Sequence, residues 1–304
     1  MTDEVSLSGD LGDLGDLGDL DDSEEFLAQR SRLVAIAYRM LGSSADAEDV
    51  VSEAYLRWRD RRDREIASAP SYLTTIVVRL CIDELRSARA RRESYVGPWL
   101  PEPLLVDETS PEAAAELADS LSLAFLVVLE ELAPVERAAF LLHDVFDYDY
   151  PQLARMLDRG EPACRQLVSR ARRRVGERRH RFDADQQASR DLAQRFMAAC
   201  GGGDLSALVS LLSEDVVLWT DGGGVVKAAR RPIHGSRKVA RFLVAIASGI
   251  PPETEFRECS VNGRPGYLFV EGGAVTAALA LDIVEGKVVG IASVLNPDKL
   301  RGLS

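Results

Sequence analysis

The run from Pro162 to Gly176 constrains this chain more than any other stretch. At helical spacing Cys164, Leu167, Val168, Ala171 and Val175 form one apolar stripe, and Arg165, Gln166, Ser169, Arg170, Arg172 and Arg173 fall on the opposite face. Arg165 and Gln166 sit in the first turn. Side chains of these types make bidentate contacts with guanine and adenine edges in a major groove. Taken alone, such a helix reads first as a core helix with a solvated basic face. The residues before it reverse that order. A short helical pattern at 150–157 and a tight Asp158-Arg-Gly160 turn precede it. Short helix, glycine turn and longer basic helix are the helix-turn-helix pattern, so the stretch is predicted to read DNA.

Overall charge does not oppose this. The chain of 304 residues carries a formal net charge of −12, but ten acids and no Lys or Arg lie in residues 1–25. Without them the remainder stands at −2, with arginines clustered at 86–92 and 165–181. Distribution matters more than the sum for a nucleic-acid binder. The acidic segment repeats Gly-Asp-Leu four times from Gly9 to Leu20. Glycine at every third position and mutually repelling carboxylates predict a disordered solvating tail over 1–25. A sharper alternative is an arm that occupies the basic faces in place of DNA.

Cys81, Cys164, Cys200 and Cys259 are far apart, as are His143, His180 and His234. Free buried thiols are expected, with no disulfide, metal or cofactor. A charged-then-apolar leader and an apolar run of membrane-spanning length are both missing, which predicts a cytoplasmic protein without membrane contact.

Helical periodicity starts at Phe26, where Leu33, Ile36, Ala37 and Met40 make one stripe and Gly42 ends it. Ser43 or Ser44 then caps a helix with acids in its first turns and with Val50, Val51, Ala54 and Trp58 on its apolar side. A third helix opens near Pro70 and runs to about Arg92, with Leu73, Ile76, Val77 and Leu80 as its core stripe. Residues 95–112 read as an extended, proline-rich linker. Trp99 and Leu100 are unusual in a linker and are expected to dock on something. Helices resume at about Glu112, one of them starting at Pro134. After residue 181 the pattern changes to two helices over 191–212, broken at Gly201–Gly203, and a helix at 237–248. Strands follow at 216–219, 255–261, 267–271, 274–284 and 287–295. A meander of antiparallel strands with flanking helices predicts a separate α+β domain.

In this order the segments from Phe26 to about Arg181 resemble an extracytoplasmic-function (ECF) sigma factor. The segment 46–58 is similar to the part of sigma region 2 that grips RNA polymerase. The resemblance assigns Asp46, Glu48, Asp49, Glu53, Leu56 and Trp58 to that contact. The segment 71–86 is similar to the part that captures the −10 promoter element, assigning Tyr72, Arg79, Asp83, Arg86, Arg89, Arg91 and Arg92. Residues 134–176 are similar to region 4, whose second helix reads the −35 element through Arg165, Gln166, Ser169, Arg170, Arg172 and Arg173. Ser52, Tyr72, Arg79 and Gly160 depart from the residues common at these positions. The implied partners are promoter DNA and core polymerase, through its β′ clamp helices and β flap.

Residues 190–304 resemble the SnoaL-like extension of one ECF subgroup, the sigma-J type, through three motifs. These are WLPEP (Trp99, Leu100, Pro101, Glu102, Pro103), DGGG (Asp221, Gly222, Gly223, Gly224) with Lys227, and NPDKL (Asn296, Pro297, Asp298, Lys299, Leu300). Val225 and Val226 separate Lys227 from the glycines, where the subgroup has Lys directly after them. The fold class implied is multidomain: two all-α sigma domains, at 26–94 and 113–181, and a cone-shaped α+β domain at 190–304. The resemblance implies intramolecular regulation through these motifs as interdomain contacts, with WLPEP packed against Asp221–Gly224 and NPDKL touching region 2 or the linker, and no dedicated transmembrane anti-sigma factor. The alternative is a helix-turn-helix regulator whose C-terminal domain senses a small molecule or acts as a cyclase- or isomerase-like enzyme, with Asp215, Asp221 or His234 as acid or base.

Overall fold

The structure, a computed structural model, describes residues 14–60, 68–92, 95–105, 121–176 and 186–303. Its N-terminal half is helical: α1 (Leu14–Leu41), α2 (Ser44–Arg59), α3 (Ala69–Arg92), α4 (Leu123–Leu129), α5 (Pro134–Phe140), α6 (Tyr150–Leu157) and α7 (Glu161–Gly176). A π-helical turn, Leu141–Val145, continues α5. The first helix corrects the sequence reading, because it begins at Leu14 inside the acidic repeat predicted to be disordered. The segment is continuous with the core-packed turns from Phe26 onward, and adding residues to an existing helix costs far less than nucleating one. Residues 1–13 lie outside the described part.

Ser43 caps α2, its hydroxyl accepting from the Asp46 N–H at 3.2 Å. Gly42 ends the preceding helix with φ +70°, and a Cβ there would stand 2.7 Å from the Trp99 ring. Only glycine combines that backbone with that approach.

The helical units predicted as two domains share one core. Leu33, Ile36 and Met40 of α1 and Trp58 of α2 belong to the same buried cluster as Phe140, Leu153, Met156 and Val168. The third helix explains why. Besides Leu73 and Val77 it buries Val78, Cys81, Ile82 and Leu85, an arc too wide for α1 and α2 alone, and α5 and α6 pack on it as well. Polar contacts cross the same seam. Arg137 of α5, itself buried, donates to the Met40 carbonyl at the C-terminus of α1 (2.6 Å) and pairs with Glu130 (2.7 Å). The Thr74 and Tyr148 hydroxyls meet at 3.0 Å, and Arg79 Nε donates to the Met156 carbonyl at 3.3 Å.

The C-terminal half comprises α8 (Gln186–Gly201), α9 (Leu205–Leu211), β1 (Leu212–Asp221), β2 (Ile233–His234), α10 (Ser236–Ala247), β3 (Glu255–Val261), β4 (Arg264–Glu271), β5 (Ala274–Val284), β6 (Lys287–Val294) and α11 (Pro297–Leu300). The strands form one sheet in the order β2-β1-β6-β5-β4-β3. Strands β3 to β6 are the expected antiparallel meander, but β1 runs parallel to β6, so the all-antiparallel expectation is corrected. Turns at Gly272-Gly273 and Glu285-Gly286, both in left-handed backbone, join the hairpins as their sequence signals. Alternation along the strands gives the sheet two buried faces. One packs Leu279, Leu281 and Ile291 against α8, α9 and α10. The other packs Leu268, Ala278, Ala292 and Val294 against Leu100 of the linker and Leu123 of α4.

Candidate functional site

The three C-terminal and linker motifs meet at one buried carboxylate. Asp221, at the end of β1, is fully buried. Its Oδ1 accepts from the Tyr95 hydroxyl (2.5 Å) and the Gly223 N–H (3.0 Å). Its Oδ2 accepts from the Leu100 N–H (2.8 Å) and Lys299 Nζ (2.8 Å). Lys299 also donates to the Leu100 carbonyl and stands 4.0 Å from the centre of the Trp99 ring, a cation–π distance. Leu100 is therefore held by both its N–H and its C=O. Four donors and a paired charge satisfy a carboxylate that would otherwise be costly to bury. Burial and the adjoining Asp221 carboxylate together push the Tyr95 phenol far above its ordinary pKa.

The glycines of DGGG permit this closeness. A Cβ on Gly222 would stand 2.1 Å from the Val226 carbonyl, and one on Gly223 would fall 2.5 Å from the Asn296 side chain. Asn296 caps α11 and donates to the Tyr95 hydroxyl at 3.1 Å. Lys227 lies elsewhere: it is exposed and lines a cavity on the helix-covered face of the sheet. The lysine on Asp221 is Lys299, which corrects the assignment of Lys227 to the interdomain contact. Asp298 pairs with Arg301 at 2.6 Å on the surface.

The linker binds the helical half with equal economy. Glu102 accepts from the Ser43 hydroxyl (2.9 Å) and the Ser44 N–H (2.6 Å), adding a second carboxylate cap to α2. Its N–H donates to the Gly42 carbonyl and its carbonyl accepts from Tyr38. Buried Asn262 donates to the Tyr38 hydroxyl (2.7 Å) and the Leu121 carbonyl (3.0 Å) and accepts from the Leu104 N–H (2.8 Å), tying the β3–β4 turn to the linker. Tyr38, Tyr95 and Asn262 were not singled out in the sequence. Asn262-Gly263 carries a hairpin-turn signal, but its long-range partners have no local trace.

On α7 the sequence pattern is realised residue by residue. Cys164, Leu167, Val168, Ala171 and Val175 are buried, while Arg165, Gln166, Ser169, Arg170, Arg172 and Arg173 are exposed. Several arginines are pre-positioned. Arg170 and Arg174 flank buried Glu136 (2.8 and 2.9 Å), and Arg172 forks onto Asp144 (2.7 and 2.8 Å). The Arg165 guanidinium lies 4.1 Å from the centre of the Tyr150 ring.

On α3, Asp83 and Arg86 form an exposed pair at 3.0 Å. Tyr72 is half-buried with its ring 6.0 Å from that of Trp58, and Arg79 reaches α6. Arg89, Arg91 and Arg92 are helical in backbone, and their side chains lie outside the described part. On α2, Glu53 pairs with Arg57 (2.9 Å), Glu48 pairs with Arg30, and Leu56 is exposed. Trp58 is 1% exposed and belongs to the core, which corrects its assignment to a polymerase surface. The large indole fills the space between α2 and α3.

The acids named for chemistry do not converge. Asp221 is consumed by the linker contact, Asp215 accepts from Ser213, and His234 is exposed on β2. Among the described residues no three His, Cys, Asp or Glu side chains are grouped as metal ligands. No described helix is long and apolar enough to cross a membrane.

The sequence matches two families, Sigma-70 region 2 over residues 26–91 and Sigma-70, region 4 over residues 122–175. It is 40% identical over 297 residues to the ECF RNA polymerase sigma factor SigJ of Mycobacterium tuberculosis, covering 91% of this chain and 93% of that protein. It is 32% identical over 284 residues to the probable ECF RNA polymerase sigma factor SigI of the same organism, covering 92% and 95%. The crystal structure of M. tuberculosis SigJ superposes with a TM-score of 0.73 at 38% identity, covering 92% of this chain and 98% of that one. These relatives are sigma factors, and the α+β domain lies within the span shared with SigJ, so it is part of a sigma factor rather than a separate enzyme. This chain belongs to the ECF sigma factors that bind core RNA polymerase and direct it to promoters, and it carries the SnoaL-like C-terminal extension of the SigJ type.

Proposed function

We propose that the C-terminal domain controls promoter engagement by fastening the linker while regions 2 and 4 lie closed against each other. The observation that carries this reading is the Asp221–Lys299 clasp on both polar groups of Leu100. In the closed form Arg79 and Thr74 of the −10 helix are engaged by region 4, which a melted DNA strand must replace. In promoter recognition, Arg165 and Gln166 read −35 base edges, with Ser169, Arg170, Arg172 and Arg173 on phosphates. Asp83 and Arg86 receive the −10 strand, together with Tyr72, Arg79, Arg89, Arg91 and Arg92 once opened. Asp46, Glu48, Asp49, Glu53 and Leu56 of α2 dock on the β′ clamp helices, and region 4 docks on the β flap. Regulation within the chain takes the place of a transmembrane anti-sigma factor.

Run-off transcription with core polymerase tests the reading. Asp221→Asn leaves Lys299 without its counter-charge and frees the linker, so transcript yield from the cognate promoter rises at subsaturating sigma concentration. Yield equal to that of the unaltered chain would remove the clasp from the control of initiation.

A further inference from the structure

The sheet separates two buried environments, and only one is filled. Opposite the linker-binding face, α8, α10 and the strands enclose a cavity of about 830 Å³. Its walls include Phe196, Leu218, Phe242, Tyr267, Phe269 and Leu279. This volume and this apolar, aromatic lining are those of small-molecule sites. Val226, Ile246 and Phe256 line it while remaining 36%, 46% and 45% exposed, which marks its apolar mouth. Two lining residues are charged. Glu271 already accepts from the Thr254 and Thr276 hydroxyls at 3.3 and 3.5 Å, whereas Lys227 is exposed at the mouth.

Two elements bound the cavity on one side and the linker clasp on the other. In the loop after β1, Gly223 and Gly224 lie against Asn296 and Val96, while Val226, Lys227 and Ala228 line the cavity. The loop is folded back on itself by the Val225 and Val226 N–H groups, which donate to the Gly222 carbonyl. In α11, Pro297 and Leu300 line the cavity, while Lys299 holds Asp221 and Leu100. A molecule in the cavity therefore presses on the elements that hold the linker.

We propose that this cavity binds one apolar small molecule bearing a single carboxylate, with its body among the aromatic walls and its anion at Lys227, and that occupancy alters the hold on Leu100. The regulatory half of this inference rests on the reading of the clasp given above. Any such coupling is reciprocal: a ligand that favours one state of the linker binds that state more tightly.

The test uses the full chain with oleate and its uncharged counterpart, oleyl alcohol, each displacing the fluorescent anion 1-anilinonaphthalene-8-sulfonate. One equivalent of oleate should displace the dye saturably. Ala277→Trp, which fills the cavity from β5, should weaken oleate at least about tenfold, with an unchanged circular-dichroism melt as the check on folding. Lys227→Glu, at an exposed position, should weaken oleate about tenfold and leave oleyl alcohol unaltered. Amide hydrogen exchange at Leu100, whose N–H donates to Asp221, should change when oleate saturates the chain. Unsaturable uptake, equal uptake by the filled variant, equal loss of both lipids on Lys227→Glu, or unchanged exchange at Leu100 would each overturn the proposal. If oleate alters Leu100 exchange while Asp221→Asn leaves transcription unchanged, the site stands and the reading of the clasp falls.

Discussion

Asp221 is the residue on which most of the interdomain geometry depends. Lys299 is only 9% exposed at its side chain, so removing the carboxylate charge leaves a cation with little access to water. Breaking a buried pair from one side costs about 3–5 kcal/mol. Asp221→Asn is expected to lower the thermal midpoint accordingly, and Lys299→Met with Asp221→Leu should recover part of it; a calorimetric melt of the three chains decides this. The four cysteines are free, and burial raises the pKa of each thiol, to about 12 for Cys200 and about 11 for Cys259. Raised thiol values mean that the unfolded chain ionises first, so the fold loses stability as pH rises from 9 through about 11. At pH 9 a thiol at about 11 is roughly 1% thiolate. Iodoacetamide at that pH should therefore label Cys259 far more slowly in the native chain than in urea, as read by mass spectrometry.

At the scale of elements, α7 and the linker show what a sequence can and cannot disclose. The five apolar positions of α7 recur at helical spacing, and each is buried, because an amphipathic helix advertises its core face locally. Strands β3 and β5 fall at 255–261 and 274–284, the bounds read from the sequence between its turn signals. The parallel pairing of β1 with β6 had no such sign, since register between distant strands is set by the packed whole. Similarly, Trp99 and Leu100 announced a docking linker by composition alone, while its targets, Asp221–Gly224 and the NPDKL segment, came only from the family resemblance. Helical spacing put Trp58 on the apolar side of α2 with Val50, Val51 and Ala54, and all four are buried; only the family motif lent it to polymerase, because an aromatic on a functional helix serves a core as readily as a partner. For α7 the expected outcome is a split. Arg165→Ala with Gln166→Ala should cost about 1–3 kcal/mol on the cognate −35 duplex and flatten base preference. Arg173→Ala should weaken cognate and scrambled duplexes alike and reduce the salt slope by about one. Fluorescence anisotropy across a salt series separates the two.

For the whole molecule, the shared core of regions 2 and 4 means that, on the proposed role of α3 at the −10 element, promoter binding and internal packing compete for that helix. Arg137, Thr74 and Arg79 stitch that seam with polar groups rather than with packing alone. Tyr148→Phe removes one of these bonds while keeping the ring. It should shift the population toward separated regions by about 1 kcal/mol. Fluorophores placed on α2 and α7 should then report a longer mean distance in Tyr148→Phe than in the parent, and core polymerase should lengthen both. No change in either chain would show that the seam does not open.

The sheet face that receives Leu100 and Leu123 bears on how such a protein can be inherited or engineered. Those two leucines come from the sigma half, yet they complete the hydrophobic interior of the C-terminal half. Fused to a sigma factor without the WLPEP stretch, the C-terminal domain would present a bare apolar sheet to water and invite aggregation. A sigma half cut loose would expose its own leucines in turn. What looks in sequence like an appended cassette is a graft that has to be transplanted together with its rootstock.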